Sequence, residues 1–559
     1  MQKSCKNCGQ SFQITQEDLD FYDRVSPVIA AKKYAIPPPT FCPDCRMQRR
    51  YTFRNERILH RRQCSATGKG IISIFAPEAP YVVYSTDAWW TDTWDAKSFG
   101  QEFDFSKPFF EQFESLFHKV PQLALMNADC ENSEYANQCY HNKNCYMTIA
   151  TDLSEDCYYV ENSFSCRNCI DCLGLHDCEL CIESINSIKC YKTFFSRDCV
   201  NCSDCLFSSF CRGCTSCFGC CGLRNKKYCF FNDQLTKEDY EKRIREIELT
   251  PSAIALYRKK AYDFELTLPH PHAILTNCEN STGDYIENSK NAIDCYDGRN
   301  VEDSKYCSLV PLMTKDCYDI TGGSGTLFYE CFSVGPGSNN LFCGLSWNDV
   351  YNLLYCFLCV NNSRNLFGCV GMKHGKYCIL NRQYSKEEFE ELVPKIIVHM
   401  QKTGEWGEMF PSSLSPFGYN ETIAQEYFPL SEKEARKKNF KWRHQRDEPP
   451  NVKKIVDAQN LPERINDIPD DILNWAIRCE VTGRPFRLIT QELDFYRRQN
   501  LPVPSLHPDE RHRRRFSLRN PRKLWTRTCT KCRTEIQTSY APERPEIVYC
   551  ENCYLREMY

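Results

Sequence analysis

The chain has 559 residues, 42% hydrophobic and 26% charged, with a formal net charge of −3, and at roughly 150 residues per domain it divides into about three to five units. Its 39 cysteines are spread over a chain far too long to be a disulfide-stapled miniprotein. No apolar run reaches the roughly 18 residues a membrane helix needs, and Met1 to Gln10 carries no apolar core of a secretion signal, so the expectation is a cytoplasmic protein with reduced thiols, serving as metal ligands or as buried filler.

Cys5-x2-Cys8 followed by Cys42-x2-Cys45 supplies four thiolates in two knuckles, the sulfur set that Zn2+ takes in structural sites, and marks residues 1–63 as a zinc ribbon. Seven arginines follow the second knuckle (Arg46, Arg49, Arg50, Arg54, Arg57, Arg61 and Arg62), interleaved with Tyr51 and Phe53. Residues 64–97 read as a second ribbon that has lost its metal. Residues 98–128 form an amphipathic bridge, with Phe109, Phe110, Phe113 and Phe117 on one face.

From Cys130 to Cys220 every cysteine falls in one frame modulo three, whose 31 positions hold 17 Cys, 7 Ser and 3 Thr and nothing aromatic. Neither a 3.6-residue helix nor a two-residue strand keeps such a frame in phase. Folded at twelve residues it sorts into columns, one reading Cys145, Cys157, Cys169, Cys181, Thr193, Cys205, Cys217. A coil with four short sides and one small inward residue per side has this signature, so residues 129–232 read as a narrow β-solenoid of seven or eight coils, roughly 35 Å long at the strand spacing. The residue after that column is apolar in every coil (Tyr146, Tyr158, Ile170, Ile182, Phe194, Leu206, Phe218), an outer ladder that calls for a cover. Three uses of the thiols stand open: small core filler, cross-links, or a soft-metal ladder through Cys166-x2-Cys169 over Cys178-x2-Cys181 and Cys202-x2-Cys205 over Cys214-x2-Cys217.

Residues 233–276 read as a helical cap and linker, opened by Thr236-Lys237-Glu238-Asp239. A second, less regular solenoid spans 277–381, where Cys295, Cys307, Cys331 and Cys343 keep the twelve-residue step and Gly322-Gly323-Ser324-Gly325 suggests a loop breaking the coils. Another cap, opened by Ser385-Lys386-Glu387-Glu388, begins the 382–475 segment, which continues as a Pro-rich linker wrapping back.

The C-terminus copies the N-terminus. C-K-N-C-G-Q-S-F from Cys5 matches C-E-V-T-G-R-P-F from Cys479, Cys42-Pro43-Asp44-Cys45-Arg46 meets His507-Pro508-Asp509-Glu510-Arg511, and Cys64 meets Cys529. Residues 476–528 are thus a degenerate ribbon, in which Thr482, His507 and Glu510 stand where ligands were. Residues 529–559 carry an intact set, Cys529, Cys532, Cys550 and Cys553. Two structural zinc ions per chain are expected, not four, with Cys479, His507 and Glu510 as a weaker third set. Seven arginines recur from Arg511 to Arg527, and net charge segregates as +6 for 1–66, −4 for 127–232, −4 for 277–380 and +7 for 476–559.

The central repeat resembles the insect antifreeze solenoids, whose twelve-residue coils also place small residues, many of them Cys, inside at every third position. The resemblance covers about 90 residues and lacks the paired threonine ladder of that family, so it implies the architecture and not ice binding. The whole chain, through CPDCRMQRR, the Cys solenoid and CEVTGRPF, resembles an uncharacterised zinc-ribbon family of candidate-phylum bacteria, and that resemblance implies no activity. The expected fold is therefore mainly β, two Cys-rich solenoids with helical caps between tandem ribbon modules. With no phosphate loop, hydrolase elbow or paired-His motif, an enzyme is not expected. The favoured function is a binding protein presenting Arg46, Arg49, Arg50, Arg54, Arg57, Arg511, Arg513, Arg514, Arg515 and Arg519 to nucleic acid, RNA above all, with the solenoids as rigid spacer. Two alternatives are a protein scaffold, with the arginines docked on the acidic solenoids and the apolar ladder free for a partner, and thiolate metal storage. No membrane or small-molecule partner is indicated.

Overall fold

The computed structural model describes residues 1–444 and 450–558. β-Solenoid coils fill the middle of the chain in two stretches, 127–230 and 275–379, separated by the helices Lys237–Arg245 and Pro251–Glu265. In the first stretch strands stack parallel with a strict twelve-residue register: Thr193, Cys205, Cys217 and Cys229 lie one above the next, and beside them Phe194, Leu206, Phe218 and Phe230. In the second the step varies, eleven residues from Leu275 to Ile286, twelve from Tyr296 to Ser308 and thirteen from Tyr351 to Arg364.

The backbone explains the three-residue rhythm. Every third residue of the first stretch, from Asn144, Met147 and Ala150 to Asp198 and Asn201, turns a corner at positive φ, between 46° and 57° except at Gly174, where it is 72°. Asn, Asp and Gly recur at these corners because they tolerate the left-handed region best. Each corner is followed by an inward residue whose own backbone groups face a core too narrow for water. Small polar side chains satisfy them: Cys166 N–H donates to Ser154 Oγ (3.0 Å), Leu175 N–H to Ser163 Oγ (3.0 Å), and the Cys205 thiol donates to the Ser203 carbonyl (3.3 Å). Cys and Ser fill the frame because they are small and both donate and accept.

Gly322 to Gly325, expected as a loop, instead lies in the strands Tyr318–Gly323 and Gly325–Thr326, with Gly323 paired to Val334. A Cβ on Gly323, which has φ of 107°, would sit 2.0 Å from the Val334 carbonyl oxygen. The glycines permit tight stacking there, not a break.

All four ribbons have one plan, a β-hairpin ending in a knuckle followed by a short helix. The hairpins are Gln2–Ser4 with Ser11–Gln13, His60–Gln63 with Gly70–Ser73, Trp475–Arg478 with Pro485–Phe486, and Trp525–Thr528 with Glu535–Thr538. Their placement is crossed. The N-terminal ribbon packs on the second solenoid stretch, where Phe21 stacks on Tyr318 with ring centroids 3.7 Å apart. The 476–528 ribbon packs on the first, where Phe486, Leu493, Phe495 and Tyr496 join Tyr158, Ile170, Ile182 and Phe194. The metal-free 64–97 ribbon pairs Val83–Tyr84 with Gln122–Leu123, which leads into the first stretch, and the C-terminal ribbon pairs Ile547–Tyr549 with Pro269–Pro271, which leads into the second. Each ribbon pair thus grips both stretches.

Helices complete the cover. Phe109, Phe113 and Phe117 of Phe109–Lys119 are buried; Phe109 meets Tyr355 and Phe367, and Phe117 meets Phe357. Tyr257 of the Pro251–Glu265 helix packs against Phe207 and Phe218. The outer ladder that asked for a partner is therefore covered by this chain itself, leaving Phe194 and Phe218 buried.

Candidate metal centres and the arginine docks

The sulfur atoms of Cys5, Cys8, Cys42 and Cys45 converge, as do those of Cys529, Cys532, Cys550 and Cys553, each set with its ligand atoms within 4.8 Å of one another. Local folding places them. At the first knuckle Gly9 N–H donates to the Cys5 carbonyl (2.9 Å) and Cys5 N–H to Gln10 O (2.8 Å), a turn closed by Gly9 at φ 75°. Cys42 then caps the helix Pro43–Tyr51, donating its N–H to Cys5 Sγ (3.2 Å), and Cys45 lies in that helix's first turn. The C-terminal site repeats this: Arg533 N–H donates to the Cys529 carbonyl (2.9 Å), and Cys550 directly precedes the helix Glu551–Met558. Facing sulfurs lie 3.7 Å apart in both sites, Cys8 to Cys42 and Cys532 to Cys550. Hydrogen bonding to Cys45 brings the Cys42 thiol down to about 5, and hydrogen bonding to Thr534 brings Cys532 down to about 6, so thiolate is available near neutral pH. Both sets could hold a metal ion.

Where the ligands were lost, hydrogen bonds hold the same knuckle. Ser85, opposite Cys550 in the duplication, donates its N–H to Cys64 Sγ (3.2 Å) and caps the helix Thr86–Trp90. His507 caps Pro508–Ser517 by accepting from Asp509 N–H at Nδ1 (3.1 Å). Cys479, His507 and Glu510 do not form a converging set among the described residues, so the weaker third site is not present.

The arginines lie mostly inside. Arg46 Nε donates to Asp319 Oδ2 (2.9 Å), Arg50 Nη1 to Asp319 Oδ1 (3.0 Å), and Arg49 Nη2 to Glu330 Oε1 (2.8 Å), all with buried side chains. Arg54 pairs with Glu56 (2.7 Å) and donates to the Thr321 carbonyl (3.0 Å), while Arg57 pairs with Glu161. On the other side Arg511 and Arg515 both hold Asp171, Arg515 at 2.7 Å, and Arg519 shares Asp297 with Arg522. Burial pushes Asp319 above the ordinary carboxylate range, against the pull of Arg46 and Arg50. In a site this dry each charge depends on its partner.

The expectation of an arginine surface is corrected accordingly. Arg46, Arg49, Arg50, Arg54, Arg57, Arg511, Arg515 and Arg519 are committed to contacts within the chain, and of the ten only Arg513 and Arg514 are exposed. The acidic solenoid residues that receive them, Asp171, Asp319, Glu330, Asp297 and Glu161, were missed from sequence. Asp171 and Asp319 had one signal, an acid at a left-handed corner.

Every cysteine is a free thiol, so the solenoid sulfurs form no cross-links. Among the described residues no three of them converge as metal ligands. Burial lifts the Cys378 thiol to about 12. No family model matches this chain, and no curated protein matches it.

Proposed function

We propose that the chain is a non-enzymatic, zinc-dependent binding protein whose ribbon ends clamp two solenoid stretches into a rigid frame for a macromolecular partner. The observation that carries this is the doubled dock, Arg46 and Arg50 on Asp319 and Arg511 and Arg515 on Asp171. Spending the most basic segments inside the fold makes sense if their task is to fix the two stretches relative to each other. Four thiolates form a closed ligand set with no open position for substrate, which fits one structural Zn2+ at each end. The N-terminal ion would hold the knuckle from which the docking helix Pro43–Tyr51 starts, whereas the helix of Arg511 and Arg515 starts at His507, in the ribbon without a sulfur set. RNA binding through the ten arginines is not favoured by this geometry, since eight of them are committed within the chain, and a guanidinium so held cannot meet a phosphate.

Elemental analysis of the native protein, with near-ultraviolet circular dichroism before and after chelation, tests the reading. Two zinc ions per chain and loss of tertiary signal on chelation are expected. Soft metal well above two ions would replace the frame with metal storage, and co-purified phosphorus with strong salt-dependent RNA affinity would restore the nucleic-acid reading.

A further inference from the structure

Between the two solenoid stretches lies a cleft of about 2570 Å3. The stretches pass in opposite senses along it: Tyr285 near the start of the second donates its hydroxyl to Asp198 late in the first (3.0 Å), while Arg54 bridges Gln138 early in the first and Thr321 midway along the second. The wall from the first stretch is a vertical ladder, Phe164, His176, Ile188, Val200 and Arg212 stacked in register, and Arg299, Leu312 and Trp347 stand among the residues facing from the second.

Size and chemistry narrow what fits. Small-molecule sites occupy roughly 300–1,000 Å3, so a cleft of this volume running along several coils suits a polymer. Its lining carries eight Lys or Arg and ten Asp or Glu side chains, a balance that gives a nucleic-acid backbone no net attraction. Hydrogen-bonding capacity is left over in the wall: His176 Nδ1, His272 Nδ1, Trp90 Nε1 and Ser333 Oγ are buried there without a partner among the described residues. Buried polar atoms of this kind cost free energy unless something meets them. At the lip Leu312 and its neighbour Met313 are 56% and 68% exposed, flexible apolar side chains of the sort that adapt to varied apolar partners.

We propose that the cleft binds an extended polypeptide segment of mixed charge. A polypeptide offers both charge signs to the two sets of charged side chains, backbone donors and acceptors to the orphaned wall atoms, and apolar side chains to Leu312, Met313 and Ile188. A neutral glycan would answer only the hydrogen bonds. This rests on the binding-frame reading and names the partner's chemistry.

The test uses the full-length, metal-loaded protein and a phage-displayed library of unstructured 15-residue peptides, with selected peptides measured by fluorescence anisotropy and a panel of neutral oligosaccharides run beside them. Peptides of mixed charge should be selected, and Ile188→Glu and Leu312→Asp should each weaken them about tenfold or more. Leu256→Asp, on the exposed face of the Pro251–Glu265 helix, should leave affinity unchanged. No enrichment, enrichment indifferent to both cleft substitutions, or oligosaccharide binding lost in those variants would each overturn the proposal. Metal content and melting temperature are recorded on the same samples: Leu312 is exposed, so its variant should keep both, and a failure to bind peptide with two ions retained counts against the cleft and not against the frame.

Discussion

Asp171 and Asp319 sit at left-handed corners of the two solenoid stretches, and each receives two arginines spaced four residues apart on a ribbon helix. The duplication seen at the chain ends thus extends to the way the ends dock. A spacing of four puts Arg46 and Arg50, or Arg511 and Arg515, on one helical face, so two guanidinium groups converge on one carboxylate.

Removing that carboxylate should be severe. Asp171→Ala leaves Arg515 without its buried anion and should cost about 3–5 kcal/mol of stability, whereas Arg513→Glu on the exposed face should stay within about 0.5 kcal/mol. Urea unfolding of the two variants beside the parent checks the contrast; equal effects would mean the dock carries no special weight.

Metal content should follow the two intact sets and ignore the degenerate ones. Cys5→Ser and Cys532→Ser should each halve the zinc count, and Cys479→Ser should leave it at two. Atomic emission on purified variants reads this directly.

The inward frame should tolerate polarity better than bulk. Cys205→Ser keeps a donor for the Ser203 carbonyl and should cost little, while Cys205→Leu overfills the coil and should cost about 1–3 kcal/mol. Denaturant midpoints of the pair separate a hydrogen-bonded thiol core from a greasy one, for which leucine would be the milder change.

Acid should destabilise the fold in two windows. Burial and the nearby Arg299 hold His176 down at about 4, so as pH falls from about 6.5 through 4 the unfolded chain takes up a proton that the folded one refuses, and stability drops. Burial opposes ionisation of Glu265, but Arg197 and His270 bring it down to about 2; its contribution of about 3 kcal/mol is complete above about 4.3 and is lost as pH falls through 2. Stability measured from pH 8 to 2 should therefore show a first decline that His176→Gln lessens and a second that Glu265→Gln lessens, the latter at the expense of stability at neutral pH, with His272 and His512 contributing to the first window and Asp509 to the second.

Much of the architecture was legible because steric rules act locally. A coil three residues to a side favours small residues inside, with Leu175 the one leucine in the frame from Cys130 to Cys220, so the Cys145 to Cys217 column announced the solenoid, and the knuckle spacing announced both sulfur sets. The docks were legible only as the alternative in which the arginines meet the acidic solenoids, because Arg46 and Asp319 are 273 residues apart and a count of charges cannot distinguish an internal carboxylate from a phosphate. Gly322 to Gly325 misled for a related reason: glycine marks a loop or a close approach, and only the neighbouring coil at Val334 decides which.

The crossed placement of the ribbons bears on biosynthesis. The N-terminal ribbon is complete early, yet its guanidinium groups find their carboxylates only when the second stretch has left the ribosome. At about 5–20 residues per second the 273-residue gap between Arg46 and Asp319 is a wait of roughly 15–50 s. During that time a nascent chain carries an undocked basic ribbon, and the ladder of the first stretch waits longer still, until the 476–528 ribbon that covers it has been translated, so the last part of the chain completes the first half as well as its own.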